Sequence, residues 1–180
     1  MKNQMKKLQE LLPHPARPLR CGNLEIWHEL QEKIDFQFPE DFLEYGKLYG
    51  TGKILISGYG LKIANPLDPK YSHWVKDTGQ DVINIVGDPP ELRDYTFYPE
   101  PRGLVPFAEE MSGELFFLQR FRTAVKVVSM PLGEPGRATV YPCSFTEFLV
   151  KLITQKLDPP YFPVQHLDDF EITFEKLDWL

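Results

Sequence analysis

Thiols are scarce in this chain, and the two present, Cys21 and Cys143, stand far apart without a C-x-x-C spacing. That excludes a four-cysteine zinc ribbon and a thioredoxin-type redox pair, both of which need closely spaced thiols. A long-range disulfide is compatible with the spacing. Two separate, partly buried thiols is the simpler reading, because free cysteine behaves as a small apolar residue. Long apolar runs are missing as well: no stretch approaches the roughly 20 residues that a helix needs to cross a bilayer. The N-terminal MKNQMKKLQELLPHP carries charge without the apolar core or small-residue cleavage pattern of a secretory signal. A cytoplasmic location is therefore expected. Basic excess is also lacking. Twenty-six acidic residues face 20 Lys plus Arg, a net charge of −6, which argues against a general nucleic-acid binder and suits a basic partner.

Catalytic signatures are equally thin. His14, His28, His73 and His166 are too dispersed to specify a metal site by spacing. There is no H-E-x-x-H and no G-x-S-x-G. The GTGK at Gly50 to Lys53 lacks the G-x-x-x-x-G-K-[ST] phosphate loop and reads as a turn. Glu109 with Glu110, or Asp168 with Asp169, offer carboxylates for acid–base work, but adjacency in sequence sets neither their separation nor their burial. Cys143 near a helix start could gain thiolate character, yet no base or acid partner is evident beside it. The expectation is a non-enzymatic chain with no catalytic residue, no cofactor and no metal.

What is present is enough apolar material for one core: 42% of 180 residues, without a disordered linker or an internal repeat, so a single domain over 1–180 is expected. The organising stretch is IDFQFPEDFLEYGKLYGTGKILI, Ile34 to Ile56. An alternating segment leads to Pro39 at a first helical turn. Phe42, Tyr45 and Leu48 follow at helical spacing, and Gly50 and Gly52 end the helix before an apolar strand. Glu40 and Asp41 lie at the helix start, where orphan N–H groups and the helix dipole favour negative charge.

Around it, residues 3 to 12 predict a short helix carrying Leu8, Leu11 and Leu12. Asn23 can cap a helix reaching about Lys33, with Ile26, Trp27 and Leu30 on one stripe, which makes Trp27 a packing residue. SGYGLKIANPLDP predicts a turn, a strand and a turn, with Asn65 in an Asx or proline turn. Residues 69 to 78 predict a helix, and the β-branched run from Asp81 one or two short strands. GLVPFAEEMSGELFFLQ predicts two strands about an acidic turn. A further strand is expected at Ala124 to Met130, a return near Arg137 to Tyr141, and a last strand at Asp169 to Lys176. Ser144 and Glu147 have capping-box spacing before a helix whose Phe145, Phe148, Leu149, Leu152 and Ile153 share one face. The fold class is α+β: N-terminal helices, a central, mostly antiparallel sheet, and a later helix packed against it.

Four of these phrases resemble the SMI1/KNR4 family of the SUKH superfamily. They are Phe38, Pro39, Asp41, Phe42, Tyr49, Gly50, Gly52 and Ile54; Asn65 and Pro66 after Leu61 and Ile63; Gly103, Leu104, Pro106, Phe107, Glu109, Gly113, Glu114, Phe116 and Phe117; and the SFTEFLVKL helix. The resemblance spans about residues 23–157, with the two ends as additional segments, and is most like a bacterial toxin-immunity protein. It implies stoichiometric binding that neutralises a cognate protein toxin, a basic nuclease being one candidate because its substrate groove needs positive potential. It implies no direct nucleic-acid or membrane binding. A regulatory protein-binding scaffold of the same superfamily, or a hydrolase whose residues converge only on folding, are the alternatives. Local charge nominates Asp88, Glu91, Asp94, Glu100, Glu109 and Glu110 as the partner-binding surface, with Tyr95 and Tyr98 as aromatic anchors.

Overall fold

The computed structural model describes residues 2–22, 24–86, 95–121, 124–131, 138–159 and 171–178. Asp88, Glu91, Asp94, Asn23, His166, Asp168 and Asp169 lie outside them.

Within the organising stretch, Phe36 and Phe38 are buried while Asp35 and Gln37 are exposed, the two-residue period of extended chain. Helix α3 (Glu40–Tyr49) follows, with Pro39 as its N-cap at φ −69° and ψ 144°. A proline has no N–H to leave unpaired there, and its carbonyl accepts the Phe42 N–H at 3.0 Å. The helix stops at Gly50, whose φ of 71° and ψ of −156° suit only glycine. A Cβ at Gly50 would also lie 2.1 Å from the Leu19 carbonyl oxygen. That oxygen accepts the Thr51 N–H at 2.9 Å, so the close approach ties the segment around Leu19 to the helix end.

Strands β1 (Gly52–Ile56) and β2 (Tyr59–Ile63) form the next hairpin. With β3 (Val105–Glu110), β4 (Glu114–Phe121), β5 (Ala124–Pro131), β6 (Thr139–Tyr141) and β7 (Ile172–Lys176) they make one antiparallel sheet in the order β6-β5-β4-β3-β2-β1-β7. Side chains alternate between its faces. Phe116, Leu118 and Val127 enter the main core, whereas Leu115, Phe117, Val128 and Met130 join a second apolar cluster. This sheet is covered on both sides, which explains why β4 and β5 read as apolar runs.

Helix α5 (Phe145–Ile153) buries all five residues of its predicted stripe, whereas α1 (Lys2–Leu11) buries Leu8, with Leu12 just past its end and Met5 joining them while Leu11 is half-buried, and α2 (Leu24–Ile34) buries Trp27 and Leu30 with Ile34 and leaves Ile26 half-buried. The N-terminal α1 packs on α5, and β7 pairs with β1, so both ends join the main core and sheet. No helix among the described residues is long and apolar enough to cross a membrane.

One expectation fails. Helix α4 runs Tyr71–Val86, continuing through residues 81–86 where short strands were predicted. Tyr71, Val75 and Val82 are fully buried at helical spacing, and Gln80 bonds Asn84 across one turn at 3.1 Å. Packing thus overrides the strand preference of the β-branched residues. Gly79 lets the helix approach the following loop: a Cβ there would sit 2.3 Å from the Tyr98 carbonyl oxygen.

Candidate functional site

Chain connectivity brings the start of α3, the start of β5 and the entry to α5 around one cleft of about 580 Å³. Its walls include Phe38, Pro39, Glu40 and Asp41, then Val125 and Lys126, then Cys143, Ser144 and Glu147. The volume lies in the range of ligand and anchor pockets. Asp41 is the structural centre. It is 2% exposed, and its Oδ2 accepts the Thr146 backbone N–H at 2.9 Å and the Thr146 hydroxyl at 2.8 Å. Ser144 Oγ accepts the Glu147 N–H at 3.4 Å. The second and third N–H groups of α5 are therefore capped, one by a carboxylate 105 residues away in sequence. The other carboxylate oxygen, Asp41 Oδ1, is buried and has no hydrogen-bond partner among the described residues. An unmet buried acceptor costs about 1–3 kcal/mol. Asp41 thus serves the fold at this cleft, and the anion-attracting end of α5 is already occupied.

The other reactive groups are held in quiet states. Burial pushes the Cys143 thiol up to about 11; Lys151 opposes this, while Glu147 and Asp41 add to it. Glu147 pairs with Lys151 at 2.8 Å, one turn along α5, rather than closing the capping box back onto Ser144. Both cysteines are free thiols.

A smaller hollow of about 240 Å³ is lined by Ile34, Asp35 and Phe36, by the Tyr98–Gly103 loop, and by Val105 and Arg120. The loop is fixed by Tyr98 N–H to Leu104 O at 3.1 Å, Glu100 N–H to Phe97 O at 2.8 Å and Gly103 N–H to Glu100 O at 2.9 Å. The two hollows are linked along the chain and across the sheet, with no lining residue in common. Residues 34–36 line one and residues 37–41 the other, while Arg120 of the smaller hollow pairs across the sheet with Val125 of the larger.

The residues nominated by local charge divide accordingly. Tyr98 and Glu100 come together in the smaller hollow. Tyr95 is half-buried against the second apolar cluster. Glu109 pairs with Lys62 on β2 at 2.6 Å, and Glu110, 7% exposed, accepts the Ser112 N–H at 2.7 Å and also the Ser112 hydroxyl. Neighbours in a strand face opposite ways, so the fold gives Glu109 and Glu110 separate duties. Sequence reading overlooked the cleft. It recognised Asp41 only as a charge at a helix start; the capping-box spacing at Ser144 was the one local hint that α5 has an ordered entry. Asp68 was also missed: it accepts Arg20 Nη1 at 2.8 Å, the Thr51 hydroxyl at 3.3 Å and the Lys70 N–H at 2.9 Å, fixing the turn after β2. Asn65 makes the predicted Asx turn to the Leu67 N–H at 3.0 Å, and its amide also donates to the Arg20 carbonyl at 2.6 Å.

Among the described residues, no group of three or more His, Cys, Asp or Glu side chains is placed to hold a metal ion. A family model described as SMI1-KNR4 cell-wall matches residues 24–149, from the first turn of α2 into α5. No curated protein and no solved structure matches the chain.

Proposed function

This chain belongs to the SUKH_6, SMI1-KNR4 family, and from that membership we propose that it is a non-enzymatic immunity protein that binds and neutralises a cognate bacterial toxin in the cytoplasm. The carrying observation is the family match itself, which spans both hollows apart from the chain's ends. The chemistry of the cleft supports binding over turnover. Asp41 caps a helix, Glu147 is paired, and a thiol raised to about 11 stays protonated at neutral pH. These groups hold shape and charge.

The docking face in this reading is the pair of hollows beside residues 34–41, with Tyr98 as an aromatic anchor and Glu100 as a rim charge. A basic toxin such as a nuclease is the partner that the chain's net charge of −6 would suit. Recognition blocks the toxin's active site or substrate surface stoichiometrically. Co-expression with the product of the adjacent upstream gene tests it, scored by co-purification and by protection of the cells. A stable complex with protection supports neutralisation. An active toxin that neither binds this chain nor is blocked by it overturns that pairing.

A further inference from the structure

Strand β7, at one margin of the sheet, is held differently from the strand it lies on. It follows the family-matched residues 24–149, whereas β1 is inside them. None of its five residues is fully buried, while Ile54 and Ile56 of β1 are. Ile172 and Phe174 rest on the main core. The Phe174 ring meets Tyr49 edge-on at a centroid distance of 5.4 Å and lies over Gly52, where a Cβ would come within 2.2 Å of it. Two ion pairs follow that ring along the strand: Glu175 with Lys53 at 2.9 Å and Asp178 with Arg20 at 2.6 Å, both carboxylates more than half exposed. Pairs at such positions contribute little and are screened by salt. The backbone of β1 divides its hydrogen bonds between two neighbours. Ser57 N–H donates to the Glu171 carbonyl at 3.0 Å, and Leu177 N–H reaches the Thr51 carbonyl at 3.5 Å. Hydrogen-bonded pairs alternate along an antiparallel ladder, so Lys53 bonds Glu175 and Leu55 bonds Thr173, while the N–H groups of Ile54 and Ile56 turn to β2. Detaching β7 strips Lys53 and Leu55 of their acceptors and leaves Ile54 and Ile56 paired.

We propose that β7 is a releasable strap over a strand-docking edge. It detaches as a unit while the rest of the sheet stays folded. The β1 edge beneath it takes an extended segment with an aromatic residue followed directly by a carboxylate, the chemistry that Phe174 and Glu175 now supply from within the chain. A bared β1 offers the three things strand addition uses: a row of backbone donors and acceptors, a seat for a ring over Gly52, and the Lys53 amine beside it. The inference stands apart from the immunity reading, since it concerns neither hollow.

Native-state hydrogen exchange of the full, isotope-labelled chain, read residue by residue by NMR, tests this. After correction for intrinsic rates, the Lys53 and Leu55 amides should exchange at least about tenfold faster than those of Ile54 and Ile56. Raising salt from about 0.02 to about 0.5 M should speed the first pair about threefold and leave the second unchanged. In Phe174→Ala the first pair should quicken about tenfold again. A peptide copying residues 171–178, added in excess to that variant, should slow them back, and the same peptide with its phenylalanine replaced by alanine should not. Equal protection of the two pairs in the unaltered chain means that β7 opens only with the whole fold, and overturns the strap. A Phe174→Ala chain that fails to fold overturns it as well, because a separable strap can be weakened without loss of the rest. A folded Phe174→Ala chain whose Lys53 and Leu55 amides gain no protection from the peptide overturns the docking edge.

Discussion

Removing the Asp41 carboxylate should damage the fold through α5, far along the chain. In Asp41→Ala the Thr146 N–H and hydroxyl lose the acceptor they now reach at 2.9 and 2.8 Å, inside a fully buried site. Two stranded donors cost about 1–3 kcal/mol each, and removal of Oδ1, which has no partner among the described residues, returns part of that, leaving a net loss of about 2–4 kcal/mol. With a urea m-value of about 2 kcal/mol/M, the unfolding midpoint should fall by about 1–2 M. Two milder variants separate the contributions. Thr146→Val deletes only the hydroxyl and keeps the backbone N–H on Asp41, so it should cost about 1 kcal/mol. Asp41→Asn preserves an accepting oxygen and should also stay near 1 kcal/mol. Urea unfolding followed by far-ultraviolet circular dichroism gives all three midpoints. Asp41→Ala within about 0.5 kcal/mol of wild type, or no worse than Thr146→Val, would refute the cross-chain cap.

Two stacked tyrosines should respond oppositely to loss of their hydroxyls. Tyr45 OH is buried without a partner among the described residues, so Tyr45→Phe should leave stability unchanged or raise it by about 1 kcal/mol; Tyr49 OH donates to the Leu12 carbonyl at 2.6 Å, so Tyr49→Phe should lower it by about 1 kcal/mol, both read by urea midpoint. Burial raises the phenols of Tyr45, Tyr49 and Tyr71, and the Cys143 thiol, above their ordinary values. The folded state therefore holds these protons longer than the unfolded chain. Their contribution is fully present below the unfolded values and is lost as pH rises past them, so stability should decline above about pH 9. Absorbance at 295 nm should show part of the eight tyrosines ionising only as circular dichroism collapses, and simultaneous titration near pH 10 with the fold intact would contradict this. Gly50→Ala forces a side chain into a glycine-only backbone conformation against the Leu19 carbonyl and should cost about 3 kcal/mol or more in the same unfolding assay. Tyr98→Ala should weaken toxin binding about tenfold or more by calorimetry with the fold intact, whereas Glu110→Lys should first lower stability, because Glu110 holds the turn after β3.

Most of the scaffold was legible because its signals are local. Ser144 followed by Phe145, Phe148, Leu149 and Leu152 announces a capped amphipathic helix within nine residues, and the Pro39-to-Gly52 stretch contains both the start and the stop of α3. The failure at residues 81–86 came from the same kind of signal. β-Branched Val82, Ile83 and Ile85 favour strand locally, and only the buried seat of Val82 beside Phe97 and Phe117 in the second apolar cluster tips the balance to helix. The site was harder to see because its defining contacts join residues distant in sequence. Charge density in a window counts Glu109 and Glu110 as available, but Lys62 engages the first and the turn at Ser112 engages the second. It also treats Asp41 as one more acid at a helix start, although the fold commits one of its oxygens to Thr146 and buries the other, which has no donor among the described residues. A residue's place in a binding surface therefore depends on what its folded neighbours leave unused. By that measure Glu109 and Glu110 have less to offer a partner's cation than their density in the sequence suggests.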